Sequence, residues 1–174
     1  VTTPEWNSYI NQSMFELYDI LVTSFEDYFS GETVQITSDG STSLYDLPNG
    51  SNYNGAKPFY KLAGVDLAVN SATNAWVTMS KFNFLDRNRY IYPNTASTIY
   101  GVFNCQYRVI GDKIEFIPTP SANQKIRLWY TPRLTELLQD TDLSSISISG
   151  WIEYVIVKAA FLALTKEESD TTSL

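Results

Sequence analysis

The stretch Tyr107-Arg108-Val109-Ile110-Gly111-Asp112-Lys113-Ile114-Glu115-Phe116 carries the strongest strand pattern in the chain. Apolar and polar residues alternate on both sides of Gly111-Asp112, a pair typical of the two-residue turn of a β-hairpin. Directly opposed pairing across this turn places Arg108 opposite Glu115 on one face of the sheet. The pattern therefore predicts an antiparallel hairpin within a larger β-rich region.

Strand patterns also flank the hairpin on both sides, between Glu32 and about Pro132. Short runs of apolar and polar residues that end at turn-forming residues predict strands at residues 33–37, 44–47, 59–67, 76–79 and 125–130. Gly64 predicts an irregularity in the third of these strands, because glycine inside a strand often marks a bulge. Asn83 is placed to cap a short helix. Residues 31–133 are therefore predicted to form one β-rich insertion domain.

Residues 2–29 are predicted to form the first helix. Thr2 and Glu5 match a capping box, in which two residues three positions apart satisfy each other's backbone N–H groups. Apolar side chains recur at helical spacing along the segment, namely Trp6, Ile10, Met14, Leu17, Leu21 and Phe25. Ser30-Gly31 is expected to end the helix, because glycine tolerates the left-handed conformation that follows many helices.

A second helix is predicted near the end of the chain, where residues 151–164 are apolar on nearly every side. Ser147 or Ser149 can cap its beginning. Fourteen residues span about 21 Å, which is too short to cross a bilayer. A helix without a polar face is buried in a core or in an interface, and so small a chain has difficulty burying every side of it. The pattern favours a subunit interface.

Together these elements predict an α+β fold with helical ends and a β centre. Residues 1–30 and 134–174 are expected to form one structural unit, in which the N-terminal and C-terminal helices pack together. An antiparallel β domain, residues 31–133, is inserted between them in sequence. No apolar run reaches the length of about 18 residues that a membrane helix needs, so no membrane partner is expected.

The composition excludes most catalytic and metal chemistry. The chain has 174 residues, no histidine and a single cysteine, Cys105, which excludes histidine-dependent nucleophiles, zinc sites of the usual His/Cys kind, disulfides and iron–sulfur clusters. The sequence also has no glycine-rich phosphate loop. The adjacent pairs Glu26-Asp27 and Glu167-Glu168 point about 100° apart on a helix and do not converge on one substrate atom. We therefore expect a non-enzymatic protein without metal or cofactor.

Charge is divided unevenly along the chain, whose formal net charge is -7. Residues 1–56 carry a net charge of -8, residues 57–133 carry +6, and residues 134–174 carry -5. The overall acidity argues against sequence-specific binding of duplex DNA. The basic middle combines arginines with aromatic rings, as proteins that bind single strands do; the same rings also suit the face of a sheet for packing reasons alone.

Four stretches of the sequence together resemble one family of virion proteins. They are Thr3-Pro4-Glu5-Trp6-Asn7 through Glu16-Leu17-Tyr18-Asp19, Phe82-Asn83-Phe84-Leu85-Asp86-Arg87-Asn88-Arg89-Tyr90, the hairpin through Ile117-Pro118 leading to Leu128-Trp129-Tyr130, and Trp151-Ile152-Glu153-Tyr154 to Lys166-Glu167-Glu168-Ser169-Asp170. Their order is similar to that of the head-to-tail adaptor, or connector, proteins in the neck of tailed bacteriophages. The resemblance covers most of the chain and rests on structural residues, without a catalytic signature.

The resemblance implies a structural function in the virion neck, with assembly in the host cytoplasm. Such proteins form a ring, usually of twelve copies, beneath the portal protein. The ring joins the capsid vertex to tail or nozzle proteins and lines a channel for genomic DNA, which passes without being read. The β insertion departs from the purely helical adaptors of many long-tailed phages, so the resemblance leaves open whether this chain occupies the adaptor or the stopper layer.

The second helix and the residues after it are the candidate subunit or portal interface. Large aromatic side chains dominate buried interfaces, which favours Trp151, Tyr154 and Phe161. The charged residues that follow complete the candidate site: Lys166, Glu167, Glu168 and Asp170. The three aromatic residues fit an ordinary intrachain core equally well.

Two functions of other classes also fit the sequence. A β-rich tail module that binds host glycans needs Trp76, Tyr90 and Trp129 in a solvent-facing row. A carboxylate-dependent cell-wall hydrolase needs two carboxylates about 5–10 Å apart in one cleft.

Overall fold

The computed structural model describes residues 2–25, 31–70, 75–89, 105–138 and 151–170. The chain divides into two compact units. The first, called the helical unit below, comprises Val1–Tyr28 and Leu134–Leu174. The second, called the β unit, comprises Phe29–Arg133.

Among the described residues of the β unit, eight strands form two four-stranded sheets. Their bounds are β1 Glu32–Thr37, β2 Leu44–Asp46, β3 Phe59–Asn70, β4 Ala75–Thr78, β5 Ser80–Lys81, β6 Gln106–Ile110, β7 Lys113–Ile117 and β8 Lys125–Pro132. The first sheet has the order β1-β8-β3-β4 and the second the order β2-β7-β6-β5. A short 3₁₀ helix, Phe84–Arg89, follows β5, and the Asn83 side chain accepts the Leu85 N–H at its start.

The hairpin is confirmed in the predicted register. Strands β6 and β7 pair antiparallel around Gly111 and Asp112, with Arg108 opposite Glu115. Gly111 has a φ of 59°, a conformation that a two-residue hairpin turn requires and that glycine adopts without steric cost. The β3–β8 register also shifts between Leu62 and Gly64, as the glycine in that strand predicts.

One strand pair departs from the antiparallel pattern. Strand β5 pairs with β6 in parallel. Parallel neighbours need a crossover connection of a dozen residues or more, and the segment from Lys81 to Gln106 is long enough to provide one. The remaining pairs are antiparallel, so the sheet region is mainly antiparallel as predicted.

Both sheets contribute to one apolar core. Alternate residues of the first sheet point into it, and the second sheet covers the opposite side. Its buried members are Val34, Ile36, Leu47, Val65, Leu67, Met79, Cys105, Tyr107, Ile114, Phe116, Ile126, Leu128 and Tyr130. Cys105 is a packing residue here, because burial raises the pKa of its thiol to about 12 and keeps it protonated.

Two long helices pack together in the helical unit, α1 Thr3–Ser24 and α2 Ile152–Asp170. The predicted α+β class, with packed N-terminal and C-terminal helices and a largely antiparallel sheet region between them in sequence, is confirmed. The capping box at Thr2 is also confirmed, because its backbone N–H donates to the Glu5 carboxylate over 2.7 Å.

Both helices differ in length from the prediction. Helix α1 ends at Ser24, before the predicted end at residue 29, because the backbone leaves helical geometry at Phe25. Glu26-Asp27 follows there, and negative charge is unfavourable at a helix C-terminus. Helix α2 continues beyond residue 164, because Lys and Glu are good helix formers. The predicted turn at residues 71–74 and the cap at Ser147 or Ser149 lie outside the described residues.

Replacement of Gly40 by alanine tests the turn between β1 and β2. Gly40 has a φ of +80°, and an added Cβ would lie 2.9 Å from both the backbone N and the Cβ of Ala122. Strain and overlap together should lower the free energy of unfolding by about 2–4 kcal/mol, measured by urea denaturation.

Gly55→Ala is the matched control. Gly55 has a similar φ of +77° but no atom within 4 Å of an added Cβ. The free energy of unfolding of Gly55→Ala should fall by only about 1 kcal/mol, which is the cost of the backbone conformation without steric overlap. Equal losses in the two variants would contradict a contact between the turn and Ala122.

Candidate assembly surface

Helices α1 and α2 run antiparallel, and polar contacts join them at two levels. Near the start of α2, the Glu16 carboxylate of α1 accepts hydrogen bonds from Lys158 Nζ over 3.0 Å and from the Tyr154 hydroxyl over 3.1 Å. Near the end of α2, Lys166 forms an ion pair with Glu5 in the first turn of α1. These pairs fix which side of α2 faces α1.

The polar contacts change the titration of the groups that make them. Hydrogen bonds from Lys158 and Tyr154 lower the pKa of Glu16, and the same bond with Glu16 raises the pKa of Lys158. Lys166, together with the Thr2 N–H and hydroxyl, lowers the pKa of Glu5 to about 2. Both carboxylates therefore stay ionised in the folded chain well below neutral pH.

The side of α2 that is buried is narrow and lined by small residues. Ala159 and Ala163, four positions apart, are the buried side chains among the described residues of this helix. Small side chains allow two helix axes to approach closely. On α1 the buried positions are Ser13, Met14, Leu17, Tyr18, Leu21 and Val22. The large apolar residues of α2 consequently lie on its other sides.

The outer face of α2 is defined here as Ile156, Val157, Phe161 and Leu164. All four side chains are exposed, with 68% of Val157 and 61% of Phe161 accessible to solvent. Their spacing of one, four and three residues places them on one side of a helix. Isolated exposed apolar residues are ordinary, whereas a contiguous group on a helix is a candidate contact surface.

The structure places the sequence-predicted site residues in three different settings. Phe161 belongs to the outer face, and Trp151 is 44% exposed just before the helix begins. Tyr154 is half-buried and bonded to Glu16 within the chain. Lys166 is paired with Glu5, and Glu167 is exposed. The side chains of Glu168 and Asp170 lie outside the described residues.

Sequence reasoning included Ile156, Val157 and Leu164 in the candidate helix but did not single them out. The preference for aromatic anchors directed attention away from these aliphatic residues. The small residues Ala159 and Ala163 could have indicated them, because small side chains four positions apart predict the side of α2 that packs closely on another helix. The remaining large residues then follow from a period of 3.6 residues.

Comparison with known proteins identifies the class of protein. A family model described as SU10 adaptor protein matches residues 2–172. The chain belongs to this family. No curated protein gives a significant match.

Membership identifies a bacteriophage adaptor, which is a structural class located in the virion neck. None of the adaptor's described helices combines the length and apolar character needed to cross a membrane. Within the described ranges, no three Cys, Asp or Glu side chains are grouped so that they could hold a metal ion.

Two surface clefts of the adaptor bear on the hydrolase alternative. One, in the helical unit, lies between α1 and the segment that follows β8, where the Asn11 side chain bonds the backbone N–H and C=O of Leu137. Its one lining carboxylate is Glu136. The other, in the β unit, is lined by a single carboxylate, Glu32. Neither of these two described clefts supplies the pair of carboxylates that glycoside hydrolysis needs.

The tryptophans of the adaptor's first sheet are already engaged within the chain. The guanidinium carbon of Arg127 lies 3.9 Å from the centroid of the Trp76 ring and 5.8 Å from that of Trp129. Trp129 Nε1 also donates to Asp66 over 2.6 Å. These cation–π contacts cover ring surface on which a sugar would stack. Tyr90, the third ring of the predicted glycan row, lies outside the described residues.

Acidification should loosen the contact between α1 and α2. Glu5 has a pKa of about 2 in the folded adaptor against an ordinary value of 4.5, and the pKa of Glu16 is also lowered. A lowered folded pKa contributes stability that is complete above the ordinary value and is lost as pH falls through the folded value. The free energy of unfolding should therefore decline between about pH 4.5 and 2, measured by denaturant titration with circular dichroism.

The double variant Glu5→Gln, Glu16→Gln is the control for this pH dependence. Glutamine keeps the size of each side chain but does not titrate, so the decline over the same pH range should be smaller. An identical decline in both proteins would show that other carboxylates control acid stability. High salt should also weaken the effect, since both carboxylates are partly exposed.

Proposed function

We propose that this protein is a head-to-tail adaptor that forms a ring of twelve copies beneath the portal of a tailed phage. The ring joins the capsid vertex to tail or nozzle proteins and surrounds the path of the DNA. Family membership supports the adaptor role. The single structural observation that supports assembly is the exposed outer face of α2, which offers a contiguous apolar surface to a partner.

The energetic argument for assembly is the cost of leaving this face in water. Burial of one large aliphatic or aromatic side chain contributes about 1.5–3 kcal/mol. Four such side chains on the outer face, Ile156, Val157, Phe161 and Leu164, supply a substantial part of what a stable interface needs. The proposed interface also includes Trp151 and the charged segment from Lys166 onward.

The acidity of the chain fits a channel through which DNA slides. Asp and Glu outnumber Lys and Arg by 19 to 12, which gives a net charge of -7, and binding of DNA depends mainly on contacts between basic side chains and phosphates. Repulsion between acidic surface and phosphate favours passage over retention. The proposed DNA contact is therefore weak and independent of sequence.

Mass measurement of the purified protein, alone and mixed with portal rings, tests the proposed function. We expect a defined complex in which several copies bind one portal ring, detected by native mass spectrometry. The protein's failure to bind portal rings at micromolar concentration would overturn the proposal.

Phe161→Asp should prevent this assembly while the chain stays folded. The side chain is exposed in the single chain but buried in the proposed interface, where an unpaired carboxylate is costly. We expect affinity to fall by about a hundredfold or more, which corresponds to about 3 kcal/mol. Affinity for portal rings is measured by sedimentation, and folding by circular dichroism.

Ile20→Asp on α1 is the matched control, because Ile20 is also exposed but lies on the other helix. It should retain assembly. Unfolding of Phe161→Asp would instead support an intrachain role for Phe161, and normal assembly by this variant would exclude the outer face of α2 from the interface.

A further inference from the structure

The 3₁₀ helix of the β unit presents two exposed apolar side chains, and two arginines lie close to one of them. Leu85 is 84% exposed and its neighbour Phe84 is 46% exposed. The guanidinium carbons of Arg87 and Arg108 lie 4.3 Å and 4.5 Å from the centroid of the Phe84 ring. These four residues are called the arginine tip below.

The arginine tip concentrates positive charge that the described part of the chain leaves without a carboxylate. Neither Arg87 nor Arg108 forms an ion pair there, although Glu115 lies opposite Arg108 in the strand register. Nη1 of Arg108 and Oε1 of Gln106 are also buried without a hydrogen-bond partner. The exposed side chains Phe84 and Leu85 therefore lie beside two guanidinium groups that have no carboxylate partner among the described residues.

Residues of the opposite charge flank the outer face of α2. Glu153 and Glu167 are exposed and stand at its two ends, separated by about 21 Å along the helix. Val157, Ala160 and Leu164 lie between the two glutamates in the sequence. From Glu153 to Glu167 the five residues are spaced by four, three, four and three positions, which keeps all five on one side of the helix. Neither glutamate forms an ion pair among the described residues.

The charges of the whole units reinforce this local match. The helical unit contains twelve acidic and two basic residues, a net charge of -10, whereas the β unit contains seven acidic and ten basic residues, a net charge of +3. The helical unit of one copy therefore attracts the β unit of another copy, because their net charges are opposite. Two helical units repel each other, as do two β units. Electrostatic attraction therefore favours contact between the β unit of one copy and the helical unit of another.

We propose that the arginine tip of one copy docks on the outer face of α2 in a second copy. Leu85 and Phe84 meet the apolar residues of that face, and Arg87 pairs with a glutamate at one of its ends. Because the two surfaces differ, the contact is heterologous, and repetition of a heterologous contact closes a ring when the rotation permits. This inference rests on the proposed ring and names the two surfaces that build it.

Disulfide trapping in the full chain tests the contact directly. The double variant Leu85→Cys, Val157→Cys, mixed with portal rings under mild oxidation, should give a ladder of covalent multimers on a non-reducing gel. Each single variant should give no ladder. The native Cys105 does not compete, because it is buried and its pKa is raised to about 12.

The outcomes separate this inference from the proposed function. Portal binding without a ladder would overturn the contact and leave the adaptor role intact. A ladder without portal binding would support the contact and overturn the adaptor role. Dimers formed by Leu85→Cys alone would show that the tip meets itself, which also overturns the heterologous contact.

Charge reversal supplies an independent test. Arg87→Glu should weaken assembly on portal rings by about tenfold, because it places like charges against the acidic ends of the outer face. The compensating variant Glu153→Lys, Glu167→Lys should restore assembly when combined with Arg87→Glu. Lys125→Glu, with the same change of charge in β8, is the control and should assemble normally. Assembly of Arg87→Glu equal to the control would contradict the pairing.

Discussion

The antiparallel contact between α1 and α2 is the constraint on which the exposure of the candidate assembly surface depends. Glu16 with Lys158 and Tyr154, and Glu5 with Lys166, fix the rotation of α2 about its own axis. Ala159 and Ala163 occupy the narrow side that this rotation buries. Because α2 is apolar nearly all round, any rotation would expose some large residues; the polar pairs determine which ones.

Much of the fold follows from local patterns in the sequence. The hairpin register, the irregularity at Gly64 and the capping box at Thr2 each depend on a few neighbouring residues and were predictable. The end of α1 at Ser24 and the parallel pairing of β5 were not. The end of α1 had only a weak local signal, the acidic pair Glu26-Asp27. The pairing of β5 depends on a distant segment, β6, and a strand of two residues leaves almost no pattern to read.

The candidate site was only partly predictable for the same reason. An apolar helix at the end of the chain predicted an interface, and the aromatic type of Phe161 made it a candidate anchor; the structure shows that its side chain is exposed. Which side of the helix stays exposed depends on partners more than 130 positions away, such as Glu16 for Lys158. The arginine tip likewise joins Arg108 of β6 to Phe84 and Arg87 of the 3₁₀ helix, residues that belong to different elements.

The order of synthesis gives the helix pair a further consequence. Helix α2 begins 128 positions after α1 ends, so at 5–20 residues per second α1 waits about 6 to 26 s on the ribosome for its partner. During that delay Met14, Leu17 and Leu21 have no α2 to pack against, while the hairpin of the β unit can already form from adjacent residues. The polar pairs at Glu5 and Glu16 can form only at the end of that delay, when α2 has been synthesised.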